Sequence, residues 1–231
     1  MDLSKRMKRY EYIYRHHALP RTPLIIRVDG KAFHTLTKKF RKPFDLLFKN
    51  AMISAAEGVI KHLQGFKCAY IQSDEITFLL TDYDKLNTQG WHDYNISKMI
   101  SISASLASVY FNRYLLKDNE DFYDPVQVFD SRVFNVPVDE VSNVFLWRAQ
   151  DNYKNSIQMY ARSLYSHKDL HKKSITDMLD MCREKGSPWE DIDNLYKNGM
   201  FITNNNKLIY NSDIRPNFNE IDSLIKPLIT F

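Results

Sequence analysis

Cysteine is almost missing: Cys68 and Cys182 are the only two in 231 residues, far apart and outside any CxxC spacing. That excludes a disulfide framework and suits a reducing compartment. Long apolar runs are missing as well, so no segment reads as a membrane span. The N-terminal stretch MDLSKRMKRYEYIYRHH has no apolar stretch of the kind a secretory signal needs. The expectation is a cytoplasmic protein without a membrane partner. GxxxxGK[ST], GxGxxG and GxSxG are all absent, which removes the common phosphate-loop, dinucleotide and hydrolase signatures. HKDLH spaces His167 and His171 four apart but lacks the Glu of HExxH and a third ligand; both histidines read as surface residues.

A large charge of one sign is missing too. The formal net charge is +4, which by itself selects no partner. The basic residues are nevertheless clustered: Lys5-Arg6 with Lys8-Arg9, Lys38-Lys39 with Arg41-Lys42, and Lys172-Lys173. Such clusters are either solvated faces or phosphate contacts, and both readings stay open here.

What the chain does have is apolar patterning: 44% hydrophobic and 13% aromatic residues, enough for a packed core. Residues 4–17 read as a basic, Tyr-rich helix, closed by Pro20 and Pro23 ahead of a strand over 24–29. From Phe44 to Leu63 the apolar residues recur at i, i+3, i+4 and i+7, which predicts a long amphipathic helix. Strands follow over 67–72 and 76–81, apolar at nearly every position and so central and buried on both faces. A second helix over 96–115 and an alternating strand over 126–136 complete a βαββαβ order. That is the ferredoxin-like pattern, an α+β fold with two helices on one face of an antiparallel sheet. Residues 1–138 would form this core. Residues 139–231 would be a helical extension packed on it, with helices over 139–147, 149–165 and 169–184 and then a polar tail.

Acids stand at the ends of two of the apolar strands: Asp29 in LIIRVDGKAF and Asp74-Glu75 in CAYIQSDEITFLL. In this fold the first strand and the hairpin after the first helix lie side by side, so Asp29 can sit next to Asp74. Two bare carboxylates that close repel, and a divalent cation removes the conflict. Hard oxygen donors without His or Cys favour Mg²⁺, which takes one or two carboxylates and completes its shell with substrate phosphates. Asp74 and Glu75 are successive residues, so extended geometry sends them opposite ways, and Asp74 is the favoured one. The bland alternative is that Asp-Gly is an ordinary turn and Ser-Asp-Glu an ordinary hairpin tip. Ser73 and the backbone from Gly30 through Lys31, Ala32 and Phe33 to His34 lie where phosphate donors would be wanted. Cys68, inside an apolar strand, reads as inert core.

Taken as a set, RVDGKAFHTLTKKFRKPFD, QSDEITFLL, SKMISISAS, FDSRVF and LWRAQD resemble, in order over about residues 24–160, the motifs of the tRNA(His) guanylyltransferase superfamily. Its members add nucleotides to the 5′ end of RNA. The resemblance implies a palm-like core, two Mg²⁺ ions, ATP and GTP or other NTPs as substrates, tRNA as partner, and an often tetrameric assembly, a dimer of dimers. By position, Asp29 and Asp74 would be the catalytic metal carboxylates, the Gly30 carbonyl a further metal ligand and Glu75 a third acid. Gly30 to His34 and Ser73 would contact a nucleotide triphosphate, and Lys42 and Lys98 would meet phosphates in the nucleotide sites.

One departure bears on specificity. Where the eukaryotic guanylyltransferases carry His-x-Asn-Asn after this Trp-Arg motif, the chain has Tyr153-Lys154-Asn155-Ser156, keeping only the first Asn. That favours the Thg-like branch, template-dependent 3′-to-5′ enzymes that repair 5′-truncated tRNAs, over strict addition of G at position −1 of tRNA(His). A catalytically silent RNA-binding palm and a nucleotide cyclase are the other readings.

Overall fold

The computed structural model describes residues 2–117, 126–205 and 207–230. Helix α1 (Leu3–Ile13) buries none of its residues. Strand β1 (Leu24–Gly30) leads through the short helix α2 (Phe33–Leu36) to α3 (Leu46–Ile60). Strands β2 (Phe66–Gln72) and β3 (Glu75–Leu80), helix α4 (Ile96–Leu116) and strand β4 (Phe129–Asn135) follow. These are the expected βαββαβ elements, in the expected order.

The boundaries follow local chemistry. The periodicity begins at Phe44, but α3 starts at Leu46, because Asp45 takes the cap and its Oδ1 accepts from the N–H groups of Leu47 (2.8 Å) and Phe48 (3.3 Å). Asn95 caps α4 in the same way, accepting from the Lys98 N–H at 3.0 Å.

The last third differs from the expectation. A single helix, α5 (Val141–Leu164), replaces the two expected over 139–147 and 149–165, since no breaker lies between them. Helix α6 (Ile175–Glu184) starts six residues later than expected, at a capping box formed by Ser174 and Asp177. The supposed polar tail carries a short helix α7 (Asn194–Lys197), two strands, β5 (Met200–Asn204) and β6 (Leu208–Asn211), and a helix α8 (Phe218–Ile229). His167 and His171 are exposed, in a turn ahead of α6.

The sheet is antiparallel throughout, in the order β4-β1-β3-β2-β5-β6. Both faces are covered, which is why the central strands read as continuous apolar runs. On one face Ile26, Val28, Ala69 and Phe78 pack under α3 and α4. On the other, Ile25, Tyr70, Leu79 and Phe201 meet Val141 and Phe145 of α5 and Ile221, Ile225 and Ile229 of α8. Cys68 is fully buried on this second face, and burial pushes its thiol pKa up. A third, smaller cluster joins the end of α5 to α6 through Ile157, Ala161, Met178 and Trp189.

The inward stripe of α5 changes character along its length. Val141, Phe145 and Ala149 are apolar where the helix crosses the sheet, whereas Arg148, Asn152 and Ser156 are buried polar residues. That change places polar groups over the tip of the β2–β3 hairpin.

Candidate active site

The β2–β3 hairpin closes with two residues, Ser73 and Asp74, between the paired Gln72 and Glu75. Such a turn needs positive φ at its first position, and Ser73 adopts 45°. The turn is tied to the end of β1 by the Gly30 N–H, which donates to the Asp74 carbonyl at 3.0 Å. N–H and C=O of one strand residue point the same way, so the Gly30 carbonyl also faces the hairpin. Glycine is demanded here by packing: a Cβ on Gly30 would lie 2.5 Å from the Phe33 ring. That ring cannot yield, being buried among Phe48, Phe111 and Phe129.

The register sets the carboxylates. Asp29 of β1 is paired with Glu75 of β3 on one side and with Asp130 of β4 on the other. Directly paired residues share a face, so three acids lie in a row on the face covered by α5, with Asp74 at the adjacent turn. The Asp29 carboxyl is pushed up to about 6, first by burial and then by the charges of Asp74, Glu75 and Asp130. Asp74 is raised as well, chiefly by burial, with the Ser73 hydroxyl bond pulling the other way.

Glu75 departs from its expected part. Its Oε1 accepts from Arg148 Nε (2.7 Å), Gln72 Nε2 (3.1 Å) and Thr77 Oγ1 (3.4 Å), and Arg27 Nε stands 3.7 Å from Oε2. Arg148 reaches on to Asp151 at 2.9 Å, and Trp147 lies beside both arginines. A buried carboxylate needs such compensation. Glu75 is committed to it, which leaves Asp29 and Asp74 as the two acids of this group without an ion pair among the described residues. Among the described residues no group of three or more His, Cys, Asp or Glu is gathered as a metal site. Two carboxylates with a backbone carbonyl beside them are nonetheless a hard-oxygen donor set, of the kind Mg²⁺ completes with substrate phosphates.

Beside this pair lies a cleft open to solvent. Ser73, Lys42, Lys49 and Asn155 line it, with an apolar wall that includes Phe44, Phe48 and Tyr196. Phe44 and Tyr196 stack with ring centroids 4.7 Å apart and planes 10° apart. Lys42 donates its Nζ to the Thr37 carbonyl at 2.7 Å. Asn152 holds the α7 segment in place by donating to the Lys197 carbonyl (2.9 Å).

The remaining candidates divide. The N–H groups of Gly30 and Lys31 are already spent, on Asp74 and on the Val128 carbonyl (2.9 Å). The backbone donors this loop has left are those of Ala32, Phe33 and His34. Ala32 has positive φ (57°) and opens α2, whose first N–H groups lack acceptors within the helix. Phe33 offers only its backbone, since its ring is core. Lys98 lies apart from the cleft. It precedes Phe111, which packs on Phe33 and Phe129, by thirteen residues of α4, about 20 Å of helix. At that far end it neighbours Glu11 of α1 and His92. Missed at the sequence level were Asp130, Arg148, Lys49, Asn152 and Tyr196. Asp130 and Arg148 had a signal, lying within the FDSRVF and LWRAQD motifs, but neither was given a role.

A split-βαβ sheet with two aspartates side by side at the end of its central strands, beside an open cleft, is the frame on which the comparisons with known proteins bear. Residues 4–137 match the family described as tRNAHis guanylyltransferase (Thg1), and the chain belongs to that family. It is similar over its whole length to a bacterial tRNA(His) guanylyltransferase (Thg1)-like protein solved in complex with ATP. That likeness has 37% identity, a TM-score of 0.93 and full coverage of both chains. A second such bacterial structure, in complex with GTP, is 33% identical with a TM-score of 0.84, again with full coverage of both chains. The tRNA(His) guanylyltransferase of Debaryomyces hansenii is 31% identical over 162 residues, 64% of this chain and 58% of that protein. Among the described residues no helix is long and apolar enough to cross a membrane.

Proposed function

We propose that this chain is a template-dependent 3′-to-5′ nucleotidyltransferase acting on tRNA. The 5′-monophosphate attacks the α-phosphate of ATP, releasing pyrophosphate, and the 3′-hydroxyl of an incoming NTP then attacks the activated end, releasing AMP. The observation that carries the reading is the Asp29–Asp74 pair at the β1–hairpin junction, next to Ser73, which with Lys42 lines the adjoining cleft. Asp29, Asp74 and the Gly30 carbonyl would hold Mg²⁺, up to two ions, which supply charge neutralisation of the phosphates when bound. The chain's own residues position the reaction. Ser73 and the N–H groups of Ala32, Phe33 and His34 face the triphosphate, and Lys42 meets it from the rim. Glu75 is a positioning residue: clamped by Arg148, it keeps the hairpin in register so that Asp74 stays beside Asp29. Lys98, at the far end of α4, serves a phosphate of a second substrate or of a neighbouring subunit's site.

Repair of 5′-truncated tRNA is favoured over strict G addition to tRNA(His). Tyr153, which stands where the eukaryotic enzymes carry His, packs edge-on against Trp189 (5.2 Å) in the α5–α6 cluster. It is therefore spent on packing. Residues 139–231 act as one unit with the core in this reading. A tetramer is part of it too, since Leu3, Met7 and Tyr10 of α1 and Tyr14 just after it are exposed, and sedimentation velocity tests it. The cytoplasm is the expected compartment.

The test uses two substrates with Mg²⁺, ATP and all NTPs: a 5′-monophosphorylated tRNA lacking its first nucleotide, and mature tRNA(His) lacking G−1. Extension of the truncated tRNA with the templated nucleotide supports the reading. Extension of tRNA(His) alone selects strict G addition. A cyclic nucleotide formed without RNA selects a cyclase, and no product from any arm selects a silent binder.

A further inference from the structure

Lys49 is a buried lysine with nothing to neutralise it. It sits on the first turn of α3, is 6% exposed, and lines the cleft beside Ser73. Among the described residues no carboxylate or carbonyl receives its ammonium. Burial alone pulls its pKa down to about 8, with no charged neighbour contributing. Asp45, four residues earlier on α3, would be its natural partner. Both Asp45 oxygens are already spent, Oδ1 on the Leu47 and Phe48 N–H groups and Oδ2 on the Arg41 N–H at 2.9 Å. Its carbon stem is buried in the cleft wall, where methionine or leucine would pack as well, so an ammonium held at this cleft without an ion-pair partner is a cost the chain need not bear.

The surroundings say what the partner is. Lys49 lies among Phe40, Phe44 and Phe48, with Tyr196 closing the wall. That part of the cleft accepts a flat, largely apolar ring. The exposed Lys42 and Arg41 are on the rim, where hydrated phosphates can stay wet. Placing the triphosphate at Ser73 puts the base of the nucleotide against the aromatic wall. A lysine ammonium only donates. Guanine presents two adjacent acceptors, O6 and N7, whereas adenine pairs its N7 with an N6 amine that also donates.

We infer that Lys49 is a specificity-determining residue that donates to O6 and N7 of a guanine seated in this cleft, favouring guanine over adenine nucleotides there. The inference rests on the proposed nucleotidyltransferase reading, which places a nucleotide in the cleft.

The test is equilibrium binding of GTP, ITP, 7-deaza-GTP, ATP and inorganic tripolyphosphate, each with Mg²⁺, to the wild type and to Lys49→Met. ITP keeps O6 and N7 and lacks the 2-amine; 7-deaza-GTP lacks N7. The wild type is expected to bind GTP and ITP alike, and both more tightly than 7-deaza-GTP or ATP. Lys49→Met should lose about ten- to a hundredfold for GTP and ITP while leaving ATP and tripolyphosphate unchanged. An equal loss for every ligand, tripolyphosphate included, would make Lys49 a phosphate contact and overturn the assignment, as would unchanged binding throughout. The wild-type analogue series stands without the variant: equal affinity for GTP and 7-deaza-GTP, with ITP weaker, also overturns it. Binding of no nucleotide at all removes the nucleotidyltransferase reading together with this one. Nucleotide binding and tRNA extension with an unaltered GTP-to-ATP ratio in Lys49→Met remove only the role of Lys49.

Discussion

Asp29 and Glu75 face each other across adjacent antiparallel strands, yet only Glu75 is neutralised, by Arg148 at 2.7 Å. This asymmetry divides the work between them. Glu75 and Arg148 form a fixed, satisfied pair beneath α5, whereas Asp29 keeps a carboxyl that resists ionisation until something positive arrives.

The buried pair makes the first prediction. Arg148→Met leaves Glu75 charged under α5 with only the longer contact to Arg27 at 3.7 Å, and should cost about 3 kcal/mol in urea unfolding. Adding Glu75→Gln should recover more than half of that, because the stranded charge is then gone. Equal destabilisation in the single and double variants would show that Arg148 acts through packing on Trp147 instead.

The raised Asp29 carboxyl makes stability depend on pH in a direction opposite to that of a salt-bridged acid. Its folded value, about 6, lies above the ordinary carboxylate value of 3.8. The fold therefore favours the protonated form. The stabilising contribution is fully present below about pH 4 and is lost as the pH rises through about 6. Without divalent cation, Asp29→Asn should be more stable than wild type at pH 7.5 and close to it at pH 4. Mg²⁺ with GTP should raise the wild-type Tm more at pH 7.5 than at pH 5.5, since the cation competes with that proton. Thermal melts of both proteins across this range check both statements.

Gly30→Ala places a methyl group 2.5 Å from the Phe33 ring. The expected cost is about 1–3 kcal/mol or somewhat more, with loss of nucleotide binding, because the displaced ring carries the Ala32–His34 backbone with it. Phe33→Leu in the same background makes room and should restore part of the stability. Failure to do so would place the strain elsewhere.

Much of this was legible in the sequence. The strands of the core announced themselves as apolar runs because both faces of the sheet are covered. Asp29 and Asp74 could be placed together because the βαββαβ order sets which strands are neighbours. What could not be read depends on register and on three-dimensional length. That Glu75 shares a face with Asp29 follows from a pairing no local pattern encodes. Lys98 belongs to a motif that is contiguous in sequence, but a 21-residue helix carries it to the other end of the sheet. Strands β5 and β6 are only five and four residues long and owe their existence to the open edge of β2. Lys49 looked like any polar residue on an amphipathic helix, and its burial in the wall of the cleft appears only in the folded chain.

Lys49 also carries a stability signature independent of any ligand. Its folded pKa, about 8, is depressed below the ordinary lysine value of 10.5. Folding therefore favours the neutral amine, and the protein gains stability relative to Lys49→Met as the pH rises from about 8 to 10.5. At pH 7 the methionine variant should be the more stable of the two, and the gap should narrow with alkalinity. Guanidinium unfolding at pH 7, 8.5 and 10 measures it, and a gap that does not change with pH would mean the ammonium is solvated.

The most direct measurement is the single-turnover rate of 5′-adenylylation and of nucleotide addition on a truncated tRNA by wild type, Asp29→Asn and Asp74→Asn. Each variant is first checked for native circular dichroism. With the aspartate pair as the catalytic centre, each substitution should lower both rates by roughly a thousandfold or more. A folded Asp29→Asn or Asp74→Asn protein that keeps either step within tenfold of wild type would contradict that account and move the chemistry away from the β1–hairpin junction.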